Sequence, residues 1–263
     1  MPRFAANLTM LFDELPFLDR FEAAKRAGFT GVEYLFPYAH EKEVLAGKLA
    51  ENGLVQVLHN LPAGDWAAGE RGIACLPDRV REFRDGVEKA AGYAKALGCT
   101  QLNCLAGIPR PDTDPRRTRS TFVDNLRFAA LALQKEGIRL LVEPINTRDI
   151  PGFYLCHTQQ ALELMAEAAS DNIHLQYDIY HMQVMEGDLV PTLERNLARI
   201  AHVQIADTPG RHEPGTGEIN YPFVFERLDA MGYRGWIGCE YRPRAGTVAG
   251  LGWFAPWAAR KAA

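Results

Sequence analysis

IRLLVEPINTRDIPGFYLCHTQQALELMAEAASDNIHLQYD, residues 138–178, is the stretch from which the fold can be read. Ile138 to Glu143 is a short apolar run that stops at a carboxylate before Pro144. Thr158 to Ala169 reads as a helix, with Thr158 as its N-cap. Ile173 to Asp178 is a second short apolar run, and it too stops at a carboxylate. A strand, a helix and a strand in this order call for parallel pairing, with the helix as the crossover.

The same alternation extends outward in both directions. Upstream, strands are predicted at Arg3–Leu8, Gly31–Phe36, Leu54–Asn60 and Thr100–Ala106, with helices at Phe17–Ala27, Glu41–Asn52, Val80–Leu97 and Arg116–Glu136. Gly28, Gly53, Gly98 and Gly137 stand where those helices stop. Downstream, helical sequence runs on to about Arg199, strand seven spans Ala201–Ala206, a helix spans Tyr221–Met231, and strand eight spans Trp236–Glu240. A last helix is placed at Val248–Ala259. Eight strand–helix units in 263 residues suit a closed (β/α)8 barrel, a TIM barrel, as one domain over residues 1–263. An open doubly wound sheet would carry a Gly-rich phosphate turn after strand one, where this chain has Asn-Leu-Thr-Met-Leu-Phe.

Composition narrows the function. The net charge of −4 gives no electrostatic support for nucleic acid or an acidic membrane surface as partner. No apolar run approaches the roughly 20 residues that span a bilayer. The first residues lack the layout of a secretory signal. Five cysteines (Cys75, Cys99, Cys104, Cys156 and Cys239) contain no CxxC and read as reduced thiols, so a cytoplasmic location is expected.

Chemistry on such a barrel sits at the C-terminal ends of the strands. There strand five ends in Glu143, strand six in Asp178 and strand eight in Glu240, and strand seven carries Gln204. These positions are about one strand–helix unit apart, so four consecutive strands present an oxygen ligand at one rim. Three carboxylates crowded into a partly dry site would repel one another, and a divalent cation removes that repulsion. An all-oxygen set favours Mg2+ or Mn2+ over Zn2+, and no organic cofactor is expected.

Segments around these positions resemble the hydroxypyruvate isomerase family of the xylose isomerase-like barrels. They are RFAANLTMLF from Arg3, HNLPAGDWAAGERGIACLP from His59, EPINTRDIPGF from Glu143, QYDIYHMQ from Gln176, HVQIADTPGRHEPGTGEINY from His202 and GWIGCEYRP from Gly235. The sister 2-oxotetronate isomerases share the start, the HVQIA and RHEP strings and the GWIGCEY end; LHNLPAGDW and EPINTRDIPGF favour the hydroxypyruvate group. The resemblance implies that Glu143, Asp178, Gln204 and Glu240 bind a metal and that Glu143 and Glu240 exchange protons with the substrate. It aligns His181 and Arg211 with the substrate-contacting His and Arg of related keto-sugar epimerases, which carry His where Gln204 stands.

The implied reaction moves one hydrogen between C3 of hydroxypyruvate and C2 of tartronate semialdehyde. Three carboxylates and one divalent cation leave about one negative charge, so an anionic hydroxy-oxo acid needs a further cation. Arg211 and Arg71 are the candidates, each with a solvated loop arginine as the plainer reading. His59 and His181 stand at the rim as possible donors, or as satisfied core residues. His202, two residues before Gln204, is read as structural or supporting, and Asn103 and Glu33 as core or support. Asp149 is a weaker candidate for hydroxyl contact, and Trp66 is either a lid or packing. Three other readings stand beside this one: a four-carbon 2-oxotetronate or a ketose epimerised at C3 as substrate, a zinc nuclease, and a non-catalytic binding protein. A nuclease needs several His ligands and a basic surface, which this chain lacks. The oligomeric state stays open, a homo-oligomer included.

Overall fold

The computed structural model describes residues 2–259. Its strands are β1 (Arg3–Asn7), β2 (Gly31–Glu33), β3 (Val55–Asn60), β4 (Gln101–Cys104), β5 (Arg139–Val142), β6 (Ile173–Asp178), β7 (Ile200–Ile205) and β8 (Trp236–Cys239). Each pairs in parallel with its sequence neighbours, and β8 closes on β1. The expected barrel is therefore present, because each crossover helix returns the chain to the same end of the sheet. Among the described residues no helix is long and apolar enough to cross a membrane.

The helices are α1 (Arg20–Arg26), α2 (Lys42–Asn52), α3 (Val80–Leu97), α4 (Pro115–Gln134), α5 (Thr158–Ala168), α6 (Ile179–Met185), α7 (Leu189–Asn196), α8 (Tyr221–Ala230) and α9 (Ala255–Ala259). On α3 the buried residues Phe83, Val87, Ala90, Ala94 and Leu97 recur every three or four positions, which is the stripe that packs on the barrel. Several boundaries differ from expectation. Phe17–Asp19 form a 3-10 turn ahead of α1. The segment before β7 breaks into α6 and α7 at Gly187 and Asp188, which both take positive φ. The last segment divides into a 3-10 turn at Val248–Trp253 and α9. Thr158 is the first residue of α5 rather than its cap; Glu186 Oε1 accepts its backbone N–H at 2.6 Å.

Two apolar clusters result. The large one fills the layer between strands and helices. The small one, Ala5, Val57, Leu58, Leu141 and Ala201, plugs the lower barrel interior. Strand alternation puts Ala5 on the same side as Asn7, and Leu141 on the same side as Glu143. The interior therefore changes from apolar to polar toward the C-terminal mouth. Four of the five cysteines are buried and all five are free.

Candidate active site

A cavity of about 890 Å3 opens at the C-terminal mouth, with Glu143, Gln176, His181, Arg211 and Glu240 in its wall. Another, of about 450 Å3, lies at the opposite mouth, and no carboxylate lines it. The C-terminal mouth is the end to which the strands deliver Glu143, Asp178, Gln204 and Glu240, all buried.

Asp178 ends β6 and caps α6 at once. Its Oδ1 accepts the backbone N–H of Tyr180 at 2.8 Å and of His181 at 3.3 Å. Its Oδ2 is buried with no hydrogen-bond partner. An orphaned carboxylate oxygen is costly unless something cationic faces it. Ligand atoms of Glu143, Asp178 and His181 lie within 4.8 Å of one another. Two carboxylates and an imidazole make up this group, and such a set fits a divalent cation; Glu240 is not part of it.

Each glutamate is tied down at one oxygen by a buried amide. Asn103 Nδ2 donates to Glu143 Oε2 at 2.8 Å and to Asn60 Oδ1 at 3.2 Å. Asn7 Nδ2 donates to Glu240 Oε2 at 2.9 Å and to Glu33 Oε1 at 3.1 Å. Gln204 Nε2 reaches the same two acceptors at 2.6 and 2.8 Å, while its Oε1 accepts from Gln176 Nε2 at 2.6 Å. Gln204 thus turns its amide nitrogen, not the expected ligand oxygen, to Glu240. His202 Nε2 lies 2.7 Å from Glu33 Oε2 but is not aligned for a hydrogen bond. Glu33 fits inside the barrel because β8 has Gly238 opposite it, where a Cβ would come within 2.3 Å of the carboxylate.

The electrostatics follow from this crowding. Burial, then Glu240 and Asp178, push the Glu143 carboxyl well above its usual range. Burial likewise raises Glu240, against the opposing pull of Arg211, and raises Asp178 to about 6. Like charges this close resist joint ionisation. Burial and then Arg211 hold His181 well below its ordinary value, so its ring is neutral. Asn146 fixes the tautomer: its Oδ1 accepts the Asp149 N–H at 2.7 Å, which leaves Nδ2 to face His181 Nδ1 at 2.6 Å. His181 Nε2 then carries the hydrogen and points toward Asp178 and Glu143.

Arg211 is brought in by the β7–α8 loop. Asp207 braces that loop by accepting from the backbone N–H groups of Thr208, Gly215, Gly217 and Ile219. Arg211 Nη2 lies 2.6 Å from Glu240 Oε1, and Nη1 lies 3.5 Å from Asp149 Oδ2. Arg71 stacks on Trp66 at 4.2 Å and donates through Nη1 to the carbonyls of Trp66 and Glu70. It lines the cavity and makes no ion pair among the described residues, as do Arg148 and Arg242.

The structure thus brings seven of the eight expected residues to one mouth and leaves His59 out. His59 is fully buried against Tyr38, with Nδ1 3.2 Å from the Asn60 carbonyl, and burial lowers its pKa to about 4. Its neighbour Asn60 lines the cavity instead. Asn7, Asn60, Asn146 and Gln176 were missed as contributors. Their only signal is a polar residue at or near the end of an apolar run.

The family model for the xylose isomerase-like TIM barrel matches residues 21–257. The chain is 54% identical to the hydroxypyruvate isomerase of Escherichia coli (strain K12), over 98% of this chain and 100% of that protein. It is 50% identical to the 2-oxo-tetronate isomerase of Cupriavidus necator, over 99% of this chain and 100% of that one. A crystal structure described as an AP endonuclease, family 2, from Brucella melitensis superposes with a TM-score of 0.95 at 50% identity, covering 98% of this chain and 99% of that one.

Proposed function

The chain belongs to the xylose isomerase-like TIM barrel family, and on that premise we propose that it is a metal-dependent isomerase interconverting hydroxypyruvate and tartronate semialdehyde. The observation that carries the proposal is the pair of buried glutamates, Glu143 and Glu240, each held at one oxygen by an amide and both beside the orphaned oxygen of Asp178. The 54% identical Escherichia coli relative supports the substrate.

The hydrogen to be moved is a weak carbon acid. Glu143, Asp178, Gln204 and Glu240 would hold a divalent cation, which draws off negative charge developing on the substrate's carbonyl oxygen. One glutamate takes the C3 proton in its ionised form. The other, protonated, delivers a proton to C2, and the hydroxyl proton passes to the former carbonyl oxygen. Burial raises both carboxyls and so makes each a stronger base than an ordinary carboxylate, while a bound cation would pull them back down. The Nε2–H of His181 donates to a substrate oxygen. Arg71 and Arg211 supply positive charge for the substrate carboxylate, and Trp66 lines the cavity beside Arg71, stacked on its guanidinium.

The test is conversion of hydroxypyruvate by the purified protein with added Mg2+ or Mn2+, with deuterium uptake from D2O at the two carbons followed by NMR. No conversion with either metal would refute the proposal. A four-carbon substrate is the second reading. The 50% identical Cupriavidus necator relative favours it, as does a cavity of about 890 Å3, ample for a longer acid. Comparing kcat/KM for hydroxypyruvate and 2-oxotetronate separates the two.

A further inference from the structure

Arg211 is the one guanidinium among the described residues that reaches into the carboxylate cluster. Its Nη2 stands 2.6 Å from Glu240 Oε1, 3.9 Å from Asp178 Oδ2 and 3.5 Å from His181 Nε2. Its Nη1 is 3.5 Å from Asp149 Oδ2, its guanidinium lies over the Tyr180 ring at 5.2 Å, and its Nε is buried without a partner. The residue takes positive φ, and its carbonyl accepts the Arg242 N–H at 2.8 Å, which pins the loop to the end of β8.

Two of the oxygens facing Nη2, Glu240 Oε1 and Asp178 Oδ2, belong to expected metal ligands. The other oxygen of each is already engaged, Oε2 of Glu240 by Asn7 and Gln204, and Oδ1 of Asp178 by the start of α6. A cation drawn to the open oxygens meets the guanidinium there. A divalent ion and a guanidinium sharing the same acceptors repel each other, and they do so strongly where water is excluded.

We infer that Arg211 is a built-in counter-cation competing with the metal for Glu240 and Asp178, and that loading the metal frees it to grip the substrate carboxylate. The inference rests on the metal-dependent reading above. It makes binding ordered, with metal before substrate. In the metal-free protein the guanidinium neutralises the cluster and has little charge left for an anion. With metal bound, its donors turn to the cavity, where the substrate is the available acceptor.

Mn2+ affinity, read by EPR titration, tests this without any turnover. Arg211→Met keeps the length and removes the charge, and should bind Mn2+ roughly tenfold more tightly than wild type, or better, even with water-like screening. Arg211→Lys, which keeps the charge, should stay near the wild-type affinity. Equal or weaker Mn2+ binding by a folded Arg211→Met protein overturns the inference. The wild type offers a second measurement that does not depend on the variant folding. Labelling of Arg211 by phenylglyoxal, followed by peptide mass spectrometry, should speed up severalfold on saturation with Mn2+; unchanged or slower labelling overturns the competition. Failure of wild type and variant alike to bind Mn2+ would instead overturn the metal reading itself, and this inference with it.

Discussion

Asn146 holds His181 in a single tautomer. Its Nδ2 lies 2.6 Å from His181 Nδ1, and it cannot turn over because its Oδ1 is held by the Asp149 backbone at 2.7 Å. The consequence is a hydrogen on Nε2, the nitrogen 3.6 Å from Asp178 Oδ2 and 3.9 Å from Glu143 Oε1. Asn146→Asp would place an acceptor opposite Nδ1 and draw the hydrogen there. The expected result is a kcat lower by about 10- to 100-fold, the range seen when groups orienting a site residue are removed, with Mn2+ affinity little changed. 15N NMR of the histidine rings should show the tautomer switch. An unchanged kcat would remove His181 as a donor to substrate.

Glu143→Gln and Glu240→Gln test the proton transfers. Each replaces a carboxylate by an amide of the same shape, so circular dichroism should be unchanged. Losing one acid–base group should cost about 10²- to 10⁴-fold in kcat. The two variants should differ in another respect. Glu240→Gln also removes the charge that holds Arg211 at 2.6 Å in the metal-free protein, so phenylglyoxal should label Arg211 faster in this variant without metal, whereas Glu143 makes no such contact. Near-normal turnover in either variant would end the two-glutamate mechanism.

Gly238→Ala should disturb the site from behind. The new methyl group would lie 2.3 Å from Glu33 Oε1 and 2.4 Å from Oε2, closer than any tolerated contact. Glu33 must then move, and Asn7 and Gln204 both link it to Glu240. Overpacking of this kind costs about 1–3 kcal/mol, which urea unfolding would resolve. A drop in kcat should accompany it. Wild-type stability in this variant would mean that Glu33 does not sit in the barrel.

The barrel was legible in the sequence because buried parallel strands are short apolar runs and crossover helices have a different period. The acidic rim was legible for the same reason: in IRLLVE and IHLQYD the first carboxylate after the apolar run is the one that reaches the C-terminal end of the barrel. His59 fails where counting fails. Between β2 and β3 the register slips, with Val32 opposite Gln56 and Glu33 opposite Leu58, so alternation does not carry cleanly along β3. Of the adjacent polar pair at its end, Asn60 enters the cavity and His59 does not. The amide supports were not legible, since Asn7 and Gln176 are ordinary strand residues until their partners from distant strands are known. Asp149, Asp178 and Glu240 come from three separate units, so Arg211's commitment to them is a property of the closed barrel alone.

The metal-free protein should lose stability as the pH rises, because its acid cluster is happier protonated. Asp178 is raised from 3.8 to about 6 by burial, so the folded state holds that proton more tightly than the unfolded chain does. Its contribution is therefore complete below 3.8 and is lost as pH rises through about 6. A shift of this size is worth on the order of 3 kcal/mol by neutral pH. Glu143, raised by burial and by its two acidic neighbours, acts in the same direction. The Tm of chelator-stripped protein should accordingly fall as pH rises from about 4 through about 6. Asp178→Asn, which can still cap α6, should flatten that fall. Adding Mn2+ at the upper pH should restore the wild-type Tm and do little for the variant, because a cation binds the ionised carboxylates of the native state alone. A stripped protein whose Tm climbs over this range would show that the three carboxylates do not share one buried mouth.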